Sequence, residues 1–247
     1  MTVDVDTAGS DPSPLLSATS PSANAFDPTA DSAAELDRQV EVYVELGVPA
    51  LVGLDDAACR AAVAPLRAEA ESLALTGDAG DVPEDDHVPF VLVLSPHAVA
   101  PNALVPAMRL GTRTGISVID DGEMATYRPI DDVELPAGFA YLLSGIDTGS
   151  TYVNVTPESA LSTIRARGRT PLTIAEGIAL VVVRPDTLRP NRCFSLAGSR
   201  TGTNQRVPAV WISKRQPKLG WCWDRNPHTW LGTASAALRR GSPSKQD

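Results

Sequence analysis

The sequence contains little cysteine, few aromatic residues and no long apolar run. Its three cysteines, among 247 residues, show none of the short spacings that build a disulfide framework or a compact zinc site. The longest apolar run, residues 178–183, is far shorter than the roughly 20 residues that cross a bilayer. No basic residue precedes Arg38, so we expect neither a secretory signal nor an Arg-rich transit peptide. We therefore predict a cytoplasmic protein with no membrane partner.

The sequence also lacks any motif with a specific catalytic spacing, and it therefore predicts neither a reaction nor a cofactor. Residues 198–202 are basic and flanked by glycine, but they lack the lysine of a phosphate-binding loop. Residues 78–86 are acidic but do not have the alternating ligands and central glycine of an EF-hand. We interpret the first segment as a turn and the second as solvated surface.

A sharp division of charge runs along the chain. Residues 1–164 carry 26 acidic and 6 basic side chains, whereas residues 165–247 carry 4 acidic and 15 basic ones. The corresponding net charges are −20 and +11, and the whole chain has −9. All four tryptophans lie in the basic part, where indole rings and guanidinium groups can together hold an anionic partner. The alternative is that the two parts neutralise each other within the fold, with the tryptophans in its core.

Both ends of the chain are predicted to be disordered. Residues 1–31 are acidic and rich in Pro, Ser and Thr, with too little apolar mass to offset the entropy of ordering. Residues 241–247 form a short polar end. Between them we predict one globular domain, residues 32–240, in which any sub-boundary would fall near 150–165.

Helices are predicted where a capping side chain comes just before apolar residues that recur with helical spacing. Ser32 and Glu35 have the spacing of a capping box, and Thr173 and Glu176 repeat it. Pro65 is expected to break the helix that contains it. The predicted helices are residues 32–47, 55–75, 157–168, 174–183 and 233–240, with short helical turns between 96 and 110.

Strands are predicted from short apolar runs between turn signals. They are residues 90–94, 116–119, 139–146, 193–196, 207–213 and 218–223, with an acidic loop at 120–134. A polar turn at 214–217 predicts that the last two strands form an antiparallel hairpin, in which Trp221 and Trp223 share one face and Cys222 lies on the other. The predicted fold class is therefore α+β, with a helical N-terminal portion followed by a mixed sheet that includes a C-terminal antiparallel hairpin.

Several short segments carry a family resemblance. They are PFVL at 89–92, YRPI at 127–130, RGRTPLT at 167–173, CFSL at 193–196, GSR at 198–200, GWCW at 220–223 and NPHTWLG at 226–232. Over about residues 34–240, the sequence resembles an actinobacterial family filed as domain of unknown function 5701. The resemblance implies no activity, cofactor or catalytic residue.

The basic, tryptophan-rich part predicts a binding surface. We expect a non-catalytic binding or interaction module that takes a small anionic ligand or an acidic protein surface. Single-stranded nucleic acid is an alternative partner, since it pairs phosphates and stacks bases on such surfaces, but a pI of about 4.8 opposes it. The predicted ligand-binding residues are Arg200, Trp221, Trp223, Arg225, Asn226, His228 and Trp230.

A small-molecule enzyme is the second hypothesis. Cys222, Asp224 and His228 include the residue types of a thiolate nucleophile, a base and an orienting carboxylate, although their spacing does not enforce that geometry. Cys193 with Cys222 and His228 could instead ligate zinc, but the missing CxxC or HxxxH pair leads us to predict no metal site. The competing structural interpretation is that Cys222 is an inert core thiol.

Overall fold

The computed structural model describes residues 16–17, 21, 25–75 and 80–242. Its α-helices are α1 (Ser32–Glu45), α2 (Val48–Leu51), α3 (Asp56–Val63), α4 (Arg67–Glu71), α5 (Pro101–Leu104), α6 (Asp121–Met124), α7 (Pro157–Ala166) and α8 (Ile174–Val183). Its strands are β1 (His87–Leu94), β2 (Arg109–Leu110), β3 (Arg113–Thr114), β4 (Ile116–Ser117), β5 (Arg128–Pro129), β6 (Ala140–Asp147), β7 (Thr170–Pro171), β8 (Cys193–Ser195), β9 (Ser199–Arg200), β10 (Arg206–Ser213), β11 (Gln216–Trp223), β12 (Leu231–Thr233), β13 (Ser235–Ala236) and β14 (Leu238–Arg240). Short 3₁₀ turns at 64–66, 84–86, 105–107, 150–152 and 185–187 complete the regular structure. The α+β prediction is confirmed.

Side-chain caps set the starts of the long helices. Thr156 caps α7 by accepting from the Ser159 amide, and Thr173 opens α8 with both hydrogen bonds of the capping box to Glu176. The predicted cap of α1 is wrong by one residue. Asp31 accepts from the Ala34 amide at 2.7 Å and is the N-cap, because a carboxylate is an equally good cap.

Two sheets form the β part of the fold. The first has the order β1-β6-β13-β7, with β14 also pairing β6, and every pair is antiparallel. The second has the order β12-β8-β10-β11-β4 and is mixed, because β12 and β4 run parallel to their neighbours. The predicted C-terminal hairpin is β10 with β11, paired antiparallel over eight residues each.

Helix α8 lies between the two sheets. All ten of its residues are buried, and it packs against both β1 and β10, as expected for a helix whose residues are apolar apart from Glu176. Its contact with the second sheet is close at Gly177, where an added Cβ would lie 2.3 Å from the Leu196 side chain. The main cluster of buried apolar side chains draws its members from residues between Leu36 and Ala236.

Helix α1 covers the edge of β1. The Gln39 amide donates to the Phe90 carbonyl at 3.1 Å and accepts from the Leu92 amide at 2.6 Å, and the Tyr43 hydroxyl donates to the Leu92 carbonyl at 2.9 Å. These side chains take the place of a neighbouring strand and protect the exposed edge.

Three secondary-structure predictions are wrong. Residues 198–202 are not a plain turn, because they contain β9. Residues 233–240 are not a helix, because they supply β13, β14 and the end of β12 to the two sheets. Residues 120–134 are not a plain loop, since they contain α6 and β5. The predicted disordered ends, 1–31 and 241–247, lie mostly outside the described residues.

Candidate binding site on the tryptophan-rich hairpin

The β10–β11 hairpin positions the predicted ligand-binding tryptophans. Its tight turn places Lys214 and Arg215 in the left-handed backbone region, with φ of 51° and 63°, which matches the twist of a two-residue hairpin connection. The register sets Arg206 opposite Trp223 and Pro208 opposite Trp221. The hairpin therefore gathers one cation and two indoles at the end away from its turn.

These three side chains form what we call the aromatic ledge: Arg206, Trp221 and Trp223. The Arg206 guanidinium carbon lies 3.9 Å from the centre of the Trp221 ring, a cation–π contact. The Trp221 and Trp223 rings meet edge to face, with centroids 5.2 Å apart at an angle of 65°. Trp223 is 44% exposed, so its ring remains accessible to another molecule.

Glu123 holds the ledge cation in place. Its Oε1 atom accepts from Arg206 Nη1 at 2.7 Å, and α6 fixes the carboxylate because Asp120 caps that helix through the Glu123 amide. Glu123 was not among the ligand-binding residues predicted from the sequence. The Asp120–Glu123 spacing is a capping signal that could have located the helix, but not its contact with Arg206.

The other two tryptophans belong to a separate group. Trp211 pairs with Lys218 in the hairpin register and therefore lies on the opposite face from Trp221. Trp230 packs 6.3 Å from Trp211, and the His228 ring lies 5.3 Å from Trp230. The structure thus divides the predicted ligand set, with Trp221 and Trp223 on the ledge and His228 and Trp230 elsewhere.

Charge neutralisation between the two parts of the chain is incomplete. Among the described residues, ion pairs join the basic part to the acidic part at Arg165–Asp132, Arg192–Asp85, Arg192–Asp86, Arg206–Glu123 and Arg240–Glu69. The described residues provide no salt-bridge partner for Lys214, Arg215, Lys218 or Arg225. Internal pairing therefore accounts for part of the basic charge and leaves cations near both ends of the hairpin without a counter-ion.

Arg200 is a partly buried cation close to the ledge. Its Nη1 donates to the carbonyls of Ala197 and Ser199, whereas its Nη2 is buried with no partner among the described residues. Burial lowers the pKa of Arg200, and the nearby carboxylates of Glu158 and Asp224 act in the opposite direction. None of the described carboxylates forms an ion pair with the Arg200 guanidinium.

The loop after β11 presents two more of the predicted residues. Arg225 and Asn226 are exposed, and the Asn226 amide donates to the Trp223 carbonyl at 3.2 Å. The Glu158 amide donates to the Asp224 carbonyl at 3.1 Å. The start of α7 therefore fixes this loop beside the ledge.

The candidate catalytic residues do not form a hydrogen-bonded triad. Among these three described residues, no hydrogen bond joins the side chains of Cys222, Asp224 and His228, and Asp224 Oδ1 and His228 Nε2 are buried without partners. Burial raises the pKa of the Cys222 thiol to about 12, an effect that the positive charge of Arg200 only partly offsets. Cys222 is thus held as a neutral thiol at physiological pH.

We expect Cys222 to react slowly with iodoacetamide in the folded protein at neutral pH. A rise in its pKa from 9.0 to about 12 lowers the thiolate fraction by roughly a thousandfold. Time courses of alkylation read by peptide mass spectrometry check this, with the denatured protein as the control. Faster labelling of Cys222 than of Cys59 would contradict it and support the enzyme hypothesis.

Metal ligation and membrane insertion find no support within residues 25–75 and 80–242. No group of three His, Cys, Asp or Glu side chains in the described part of the chain is arranged to hold a metal ion. Cys59, Cys193 and Cys222 are all buried and free of disulfides. No helix in the described part has both the length and the apolar character to cross a membrane.

Comparison with known proteins identifies one match. The model of a family of unknown function, DUF5701, matches residues 42–242 and thus includes the hairpin, α6 and α8. No functionally curated protein and no solved structure matches the chain. The matched region covers most of the sequence, and the chain therefore belongs to the DUF5701 family.

Proposed function

We propose that this chain is a non-catalytic cytoplasmic protein whose aromatic ledge binds an acidic segment of another protein. The observation that carries the proposal is the exposure of Trp223, 44% of whose surface is accessible at the end of β11, beside the Arg206–Trp221 stack. Tryptophan and arginine dominate the binding energy of protein interfaces because they combine large apolar area with directional hydrogen bonding.

The ledge is arranged in advance for a carboxylate-bearing partner. The Trp221 ring packs against the Arg206 guanidinium, and Glu123 accepts a hydrogen bond from it. Because Arg206 is already held in place, little side-chain entropy is lost when its remaining N–H groups bind a partner. Arg225 is exposed, follows Trp223 by two residues and has no salt-bridge partner among the described residues. A glutamate-rich or aspartate-rich segment could meet both cations while an apolar side chain covers Trp223.

The shape and charge of the ledge favour a polypeptide over the other partners. Small molecules bind in concave sites that bury most of their surface, whereas Trp223 lies on an exposed strand end. The net charge of −9 repels any polyanion, and it disfavours nucleic acid most, because nucleic acid carries a negative charge on every nucleotide whereas an acidic protein segment can be short and can include apolar residues. The three free, buried thiols suit a reducing compartment such as the cytoplasm.

Fluorescence anisotropy with a labelled oligo-glutamate peptide tests the proposal. We expect binding that weakens with added salt, and Trp223→Ala is expected to weaken it about tenfold, the size of a moderate interface hot spot. Arg225→Ala should weaken it by a smaller factor. Arg113→Ala is the matched control, since it removes the same charge from an exposed residue on β3, near the turn end of the hairpin.

Two results would overturn the proposal. One is equal affinity of the wild type and the Trp223→Ala variant for the peptide. The other is tighter binding of a labelled oligo-deoxythymidylate than of oligo-glutamate, which would favour the nucleic-acid alternative. Circular dichroism of each variant confirms that the fold is retained, as expected for substitutions of exposed residues.

A further inference from the structure

A large cavity lies on the side of α6 away from the ledge. Its volume is about 900 Å³, which falls within the range of small-molecule sites. Apolar side chains supply most of the wall, among them Leu16, Leu51, Pro106, Met124 and Leu135. The cavity is separate from the aromatic ledge, because no ledge residue lines it.

A smaller pocket adjoins this cavity at the start of α8, and we call it the extension. The extension shares seven wall residues with the main cavity and adds Thr173, Ile174, Ala175 and Ser199. Helix α8 begins at this point, so the positive end of its dipole meets the extension. The extension measures about 60 Å³.

Ser199 offers a hydrogen-bond donor in the extension. The residue is 95% buried, and its Oγ accepts from the Ile174 amide at 3.1 Å. Since that oxygen already acts as an acceptor there, the hydroxyl proton is available for another group. None of the hydrogen bonds between described residues uses it.

Arg128 supplies a positive charge at the same place. It lines both the cavity and the extension, and it lies directly opposite Arg200 in the β5–β9 pair. Arg128 is exposed, and its Nη1 donates to the carbonyls of Ala125 and Tyr127. It forms no salt bridge with a described residue, so its charge is available to an anionic group. Among the described wall residues the one carboxylate is Asp121, which already accepts from Asn102 Nδ2 at 2.7 Å.

We infer that this cavity binds an aliphatic molecule with a terminal carboxylate. The hydrocarbon part lies among the proline, leucine and methionine side chains of the main cavity. The carboxylate enters the extension, where Arg128, the Ser199 hydroxyl and the positive end of α8 meet it. The small volume of the extension and its single lining arginine suit a singly charged carboxylate better than a bulkier, doubly charged phosphate.

Calorimetric titration with octanoate and octanol tests the inference on the full chain. Octanoate is expected to bind, octanol to bind more weakly, and acetate not to bind measurably, because the hydrocarbon chain and the carboxylate of the ligand both contribute to its affinity. Arg128→Gln is expected to weaken octanoate about tenfold, the effect of losing one hydrogen bond to a charged group, and to leave octanol unchanged. Arg113→Gln, with the same change of charge at an exposed residue outside the cavity wall, should leave both affinities unchanged.

A second variant tests the location independently. Ala103 is exposed on α5 and lines the cavity, so Ala103→Trp should fill the space without disturbing the core and abolish binding of both molecules. Trp223→Ala should leave both affinities unchanged, since the ledge lies outside the cavity. Equal affinity of the wild type for octanoate and octanol, an equal effect of Arg128→Gln on both, or unaltered binding by Ala103→Trp would overturn the inference.

Discussion

Replacement of Arg239 with methionine is expected to lower the free energy of unfolding by about 3–5 kcal/mol. Arg239 is 93% buried and makes a two-point ion pair with Glu176, at 2.6 and 2.9 Å. Glu176 is itself fully buried, and the Tyr141 hydroxyl donates to it at 3.0 Å. Without the guanidinium, the carboxylate would remain in the core as an uncompensated charge. Urea denaturation of the purified variant measures the effect.

The Arg165–Asp132 pair provides the matched control. Its shortest distance is also 2.6 Å, but both side chains are almost half exposed. Exposed pairs contribute between about 0 and 1 kcal/mol, so Arg165→Ala should change the unfolding free energy by less than that. A loss below about 1 kcal/mol for Arg239→Met would show that the buried network does not stabilise the fold as described.

Substitution of Gly232 by alanine is expected to destabilise the fold by about 3 kcal/mol or more, or to prevent folding altogether. At this point β12 crosses the segment that contains Gly149, and a Cβ on Gly232 would lie 2.1 Å from the Gly149 carbonyl oxygen. The obstacle is backbone rather than a flexible side-chain end. The two segments would have to move apart to make room for the Cβ. That movement would also disturb the junction between the two sheets. Thermal unfolding and soluble yield report the effect.

Gly202 distinguishes this steric effect from the general cost of replacing a glycine. It has a φ of +74°, and an added Cβ would meet no atom within 4 Å. Gly202→Ala should therefore lower the free energy of unfolding only by the cost of placing alanine in the left-handed backbone region, about 1–2 kcal/mol. Similar losses at the two positions would contradict the close crossing at Gly232.

The sequence was sufficient to predict structure where the deciding contact is local. Thr156 and Thr173 each cap an amide three residues ahead, and the Lys214–Arg215 turn joins adjacent strands. In such cases the residue types within a short window determine the conformation. Trp221 and Trp223 were also assigned correctly to one face, because side chains alternate along a strand.

Structure that depends on distant partners could not be predicted in this way. Residues 233–240 are rich in alanine, which favours a helix in isolation, yet Ser235 pairs with Asp147 and Leu238 with Ser144. Sheet pairing overrides a weak local propensity when it also buries apolar surface. The Glu123–Arg206 contact joins residues 83 positions apart, and no spacing rule reports it. For the same reason, the sequence could not predict which residues lie together in the cavity wall.

The position of β13 and β14 in the first sheet affects how the protein is made. Both strands pair with β6, which ends at Asp147, but they come from the last part of the chain. At a synthesis rate of about 5–20 residues per second, the ribosome needs roughly 4 to 18 seconds to add the intervening residues. During this interval the edge of β6 that β13 and β14 cover in the finished fold has no strand partner, so a nascent chain exposes an edge that can pair with another chain.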